Sequence, residues 1–166
     1  MNKEFALVFL KNHQPMPNDD ELTPEIIETY GDVMDYIREN PDKEFLPLVL
    51  NSFGEYEGLG IYSMADEVIN KYDRESVVIN HVQSLRNTDS GVKYRCVNLC
   101  KKYSDERLIY PLAALLDDEV PSIRLGAVKA LSMIDDGEIK DLLCNYLEIE
   151  EDESNKAFVE SMVRGM

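Results

Sequence analysis

A chain of 166 residues, 44% hydrophobic and 30% charged, has apolar side chains enough for one packed domain and too few for two; wholesale disorder is excluded. Its 33 acidic against 17 basic side chains leave a formal net charge of −16, which repels nucleic-acid phosphates and anionic lipid and attracts cationic partners. No run approaches the ~18 apolar residues that span a bilayer, and Cys96, Cys100 and Cys144 form no Cys-x-x-Cys pair, so reduced thiols in a cytoplasmic setting are expected.

In chain order, the apolar stretch from Phe5 to Leu10 is too short for a signal-peptide core and reads as a packed N-terminal element. Residues 11–21 read as a loop. Thr23-Pro24-Glu25 is a helix start, with Thr as N-cap, Pro in the first turn and Glu favoured by the dipole. Ile26, Ile27, Tyr30, Val33, Met34 and Ile37 continue at helical spacing until Asn40-Pro41, where the residue before proline leaves the α region. Between Pro17 and Glu44 ten acids face only Arg38 and Lys43. Residues 1–44 are expected to form an N-terminal cap.

From residue 45 the chain repeats itself with an offset of 31. Ile61, Val92 and Ile123 align, as do Ala65, Cys96 and Ala127, then Val68, Leu99 and Ala130, then Ile69, Cys100 and Leu131, then Tyr72, Tyr103 and Ile134. Their spacing within each unit traces one helical face. A preceding helix aligns at the same offset through Leu46, Val77, Leu108 and Ile139, and through Leu50, His81, Leu112 and Leu143. The units run 45–76, 77–107, 108–138 and 139–166, with turns at Gly54–Gly60, Asn87–Gly91, Asp117–Pro121 and Glu150–Glu153. One hairpin with one apolar face cannot be buried alone, so stacked hairpins are expected: a single all-α domain over 1–166, a right-handed α-solenoid of about four helical hairpins behind an N-terminal capping helix.

The segment Leu108 to Leu131, in which Asp117-Asp118-Glu119 leads to Ile123-Arg124 and then Ala127-Val128-Lys129-Ala130-Leu131, resembles the short HEAT-like repeat first associated with phycobilisome lyases. The resemblance is good over 108–138, fair over 77–107 and weak over 139–166. It implies a helix-pair stack whose second helices line a concave face, and it implies no activity, since no residue marks a bilin site.

Chemistry-bearing patterns are scarce. His81 occupies a column otherwise filled by leucine and reads as a core histidine; His13 stands in a loop with no second ligand nearby. Cys96 and Cys100 lie in apolar columns, where cysteine packs as a small hydrophobe. The acid pairs lack catalytic or calcium-loop spacing, and no nucleophile elbow or phosphate-binding glycine pattern occurs. No catalytic residue, cofactor or metal is expected.

What remains is a surface. Asn51 to Gly60 packs three glycines, Glu55, Tyr56 and Glu57 into the turn of the first unit; it reads either as a rim loop facing a partner or as a longer turn with Phe53 packed inside. On the second helices, Glu67, Asn98 and Lys129 share a column opposite the apolar face. So do Tyr94 and Leu125, either exposed anchors or covered by a neighbouring helix. Tyr62, Lys93 and Arg124 form a further column at the groove's edge, where Lys93 and Arg124 bring positive charge. The expectation is a monomeric, non-catalytic protein-binding module that takes a basic protein in its groove and acidic rim, with no nucleic acid and no membrane. A sharper form is a bacterial immunity or antitoxin-type protein capturing a basic toxin. The alternative is a lyase-like or small-ligand-binding protein.

Overall fold

The computed structural model describes residues 1–165, and every regular element among them is helical. In chain order these are α1 (Lys3–Asn12), α2 (Pro24–Glu39), α3 (Phe45–Leu50), α4 (Tyr62–Ile69), α5 (Arg74–Ser84), α6 (Ser90–Cys100), α7 (Ile109–Ala114), α8 (Pro121–Leu131), α9 (Glu138–Leu147) and α10 (Glu153–Gly165). Short 3-10 turns precede α4 and flank α7. Five helices, α1, α2, α5, α6 and α10, start where a short polar side chain accepts an orphan backbone N–H. Asn2 accepts from Phe5 (2.9 Å), Thr23 from Ile26 (3.2 Å), Asp73 from Ser76 (2.8 Å), Asp89 from Val92 (3.0 Å) and Asp152 from Asn155 (2.9 Å). Pro24 and Pro121 stand in first turns, where no N–H is needed. The N-terminal apolar stretch is a full helix reaching Asn12, so the following loop opens at His13.

The chain divides into two compact units between Arg95 and Cys96. In the first, α1 packs on α2 and α3, α2 on α4, and α3 on α4 and α5. In the second, α7 packs on α8, α9 on α10, and α10 on α8. The aligned apolar columns are interior: Ala65, Cys96 and Ala127 are fully buried, as are Leu46, Val77, Leu108 and Ile139. Only Tyr72 and Tyr103, at the ends of their helices, are half-buried. Helix pairs with these interiors are consistent with an α-solenoid.

One polar group sits inside a leucine column. His81 is fully buried on α5, and its Nδ1 lies 3.0 Å from the Val77 carbonyl, which can only accept, so Nδ1 carries the proton. Burial disfavours the imidazolium and lowers the pKa from 6.5 to about 4, against the opposing pull of that carbonyl.

In the second unit Arg124 is built into the fold. Its Nε and Nη2 donate to the two Glu150 oxygens (3.0 and 2.6 Å), and its Nη1 donates to the Asp118 carbonyl (2.9 Å). The Glu150 side chain is fully buried and also accepts from the Tyr146 hydroxyl, the Asp152 N–H (2.9 Å) and Asn155 Nδ2 (3.2 Å). Burial opposes ionisation of Glu150, yet these donors outweigh it and hold the carboxyl near about 2. Burial, then the adjacent carboxylate, pushes the Tyr146 hydroxyl up. The network ties α8 to the turn between α9 and α10.

Two expectations follow. Because the folded pKa of His81 lies below the unfolded one, the unfolded chain binds more protons; stability is full above about pH 6.5 and falls by about 3 kcal/mol as the pH drops through 4. Urea titrations at pH 7 and pH 4.5 should show this slope in the wild type and a flatter one in His81→Leu. Removing the cation alone, by Arg124→Met, should destabilise the fold by about 3–5 kcal/mol because Glu150 is left charged and buried, while Arg124→Met with Glu150→Leu should recover much of the loss. Equal midpoints for the single and double variants would refute that account.

Candidate functional site

The segment joining α3 to α4 is fixed on its inner side by contacts from well-separated parts of the first unit. The Gly54 N–H donates to the Tyr62 hydroxyl (2.7 Å), and Phe53, fully buried, meets the Tyr62 ring edge-on at 5.3 Å. The Gly58 N–H donates to the Asp19 carboxylate (2.8 Å). Gly91 at the start of α6 lies so near the loop that a Cβ there would fall 2.2 Å from the Gly54 carbonyl oxygen, so only glycine fits. Arg95 on α6 donates from Nη2 to Glu57 (2.5 Å) while its guanidinium lies 5.3 Å over the Tyr62 ring.

The outer side is displayed. Tyr56 and Leu59 are 57% and 62% exposed, with Glu55 and Glu57 in solvent beside them. Leu59 sits at φ 51°, ψ 27° between Gly58 and Gly60, also at positive φ. A leucine in this left-handed region costs about 1–2 kcal/mol. Strain at Leu59 is therefore kept at a residue whose side chain stands in water and packs against little of the chain. Phe53 packs inside and closes the turn, and the tip side chains face solvent.

The other expected surface residues divide between the units. In the first, Glu67 is exposed and pairs with Arg38 (3.2 Å), Tyr94 is 36% exposed, and Lys93 beside it is half-buried. Tyr62 is corrected: it is 1% exposed and belongs to the core, packed on Tyr30 and Phe53, and burial raises the pKa of its hydroxyl against the pull of the Gly54 N–H. In the second unit, Asn98 accepts from Lys101 (2.8 Å), Leu125 is half-buried and not an open leucine, and Lys129 lies 5.0 Å over the Phe158 ring. Arg124 is half-buried, and its guanidinium is already engaged by both Glu150 oxygens and the Asp118 carbonyl. Sequence reasoning did not single out Leu59, Arg95 and Asp19. The Gly58-Leu59-Gly60 triplet signals positive φ; nothing in the sequence signals that Asp19 and Arg95 converge on this loop.

Among the described residues no group of three or more His, Cys, Asp and Glu side chains could hold a metal, and no helix is long and apolar enough to cross a membrane. His13 Nδ1 lies 2.8 Å from the Phe9 carbonyl, its ring stacked on Phe9, and Cys96 and Cys100 are buried, with burial pushing the Cys100 thiol up.

Against known families, residues 81–162 match the model described as HEAT repeats. No curated protein matches the chain. HEAT repeats in general mediate contacts between proteins and are generally non-catalytic. The match falls within the second, third and fourth units of the 31-residue offset, just under half of the chain, and that span carries HEAT-like repeats.

Proposed function

We propose that the chain is a non-catalytic protein-binding module and that the loop Phe53–Gly60 is the contact surface through which it takes a basic partner. One observation carries the reading: the loop is immobilised from beneath while Tyr56 and Leu59 are held out in water. An anchored aromatic and an anchored aliphatic side chain lose little conformational freedom on binding, which is what gives a few residues most of an interface's energy. The net charge of −16 supports a cationic partner, since complementary charge speeds encounter more than it tightens the complex. Capture of a basic toxin by a cytoplasmic, monomeric immunity or antitoxin-type protein fits this chemistry. The finer architecture proposed with it is one right-handed array of about four hairpins behind the segment 1–44. Glu67, Lys93, Tyr94, Asn98, Leu125 and Lys129 remain proposed as secondary contacts, each within its own unit.

Leu59→Gly separates function from stability. Glycine relieves the left-handed strain, so the variant should be as stable as the wild type or more stable by about 0.5–1 kcal/mol. Affinity capture from the native host with tagged wild type and variant, at low and high salt, should recover a basic protein that the variant loses and that high salt weakens. A destabilised variant, or a partner retained undiminished by Leu59→Gly, would sink the proposal.

A further inference from the structure

On its inner side the loop already holds one arginine. The Arg95 guanidinium lies 5.3 Å over the Tyr62 ring and donates to Glu57 at 2.5 Å, so an aromatic face and a glutamate clasp the cation together. The same two residue types recur on the outer side as consecutive residues, Glu55 and Tyr56, both exposed and neither in contact with a cation of the chain among the described residues. The charges differ in the same sense: Glu57 is compensated by Arg95, and Glu55 is not. Resting on the reading of this loop as the partner surface, we propose that the outer pair recognises an arginine side chain of the partner protein, stacked on the Tyr56 ring and paired with the Glu55 carboxylate, while Leu59 packs against an apolar neighbour of that arginine.

Arginine fits better than lysine for a physical reason. A guanidinium is planar, stacks on an aromatic face while its edge donates two parallel N–H groups to a carboxylate, and sheds its hydration more readily than an ammonium. The inner contact pairs a ring face with a single Nη2 donor from Arg95 to Glu57, and the fixed loop gives the outer pair a defined position at little entropic cost. The field of an acidic chain concentrates cations generally; the ring beside the carboxylate is what selects among them.

The probe is a short peptide alternating glycine and arginine, with counterparts carrying lysine or uncharged citrulline at the arginine positions. Titrations followed by NMR on the assigned Tyr56 ring should show saturable shifts with the arginine peptide, weaker ones with lysine and none with citrulline. Tyr56→Ala and Glu55→Gln should each weaken binding by about tenfold, because each removes one half of the clasp. Glu28→Gln, at an exposed acid on α2 outside the proposed contacts, should leave it unchanged. Both loop side chains are solvent-exposed, so unchanged melting temperatures confirm that the variants fold. Equal binding of the citrulline peptide, or a loss with Glu28→Gln matching that with Glu55→Gln, would overturn the arginine assignment in favour of shape alone or of diffuse charge. Loss of the native partner by Leu59→Gly alongside such a result would leave the binding-module reading standing, so the two failures are distinguishable.

Discussion

A two-helix unit has one apolar face and nothing of its own to cover it, and most of this structure answers to that constraint. Each fully buried aliphatic side chain contributes about 1.5–3 kcal/mol, so the columns through Ile61, Val92 and Ile123 and through Leu46, Val77, Leu108 and Ile139 dominate the stabilising side of folding. Small residues at Ala65, Cys96 and Ala127 leave room for close packing on that face. Once those faces are covered, the helix lengths, the capping aspartates and the turns between the helices have little freedom left.

Polar groups then decide the details that apolar packing leaves open. The Arg124–Glu150 pair does not add stability in proportion to its contacts, because both charges are removed from water to make it. What it fixes is the turn after α9, where the Glu150 carboxylate takes donors from Arg124, Tyr146, Asp152 and Asn155. The rim loop in the first unit follows the same logic. Gly54, Gly58 and Glu57 are each held by a partner from elsewhere in that unit, so the loop has one inner conformation, and its strain is concentrated at Leu59.

Those two networks use arginine differently, and the difference bears on function. Arg124 is sequestered by a carboxylate with no remaining capacity, so it is part of the scaffold. Arg95 is shared between a ring and a glutamate on a loop whose next residues toward solvent repeat those two groups. A strongly acidic surface attracts any cation at long range, and shape at short range must discriminate. The proposed contact surface, an anchored loop bearing a tyrosine between two glutamates beside an exposed leucine, is where such a shape is on offer.

The sequence by itself determined the helices and the interior columns, because hydrophobic periodicity, proline position and capping residues are local properties that the tertiary fold reinforces. It also marked Asn51–Gly60 as unusual, since three glycines in ten residues cannot be a plain turn. Tertiary structure alone decided that Tyr62 faces inward and Arg124 is spent, because a column position fixes a helical face and not what a neighbouring element presents to it. Likewise, Asp19, Gly91 and Arg95 meet the loop from distant points in the chain. Their convergence turns a glycine-rich segment into a fixed surface, and contacts between residues so far apart leave no periodic trace in the order of amino acids.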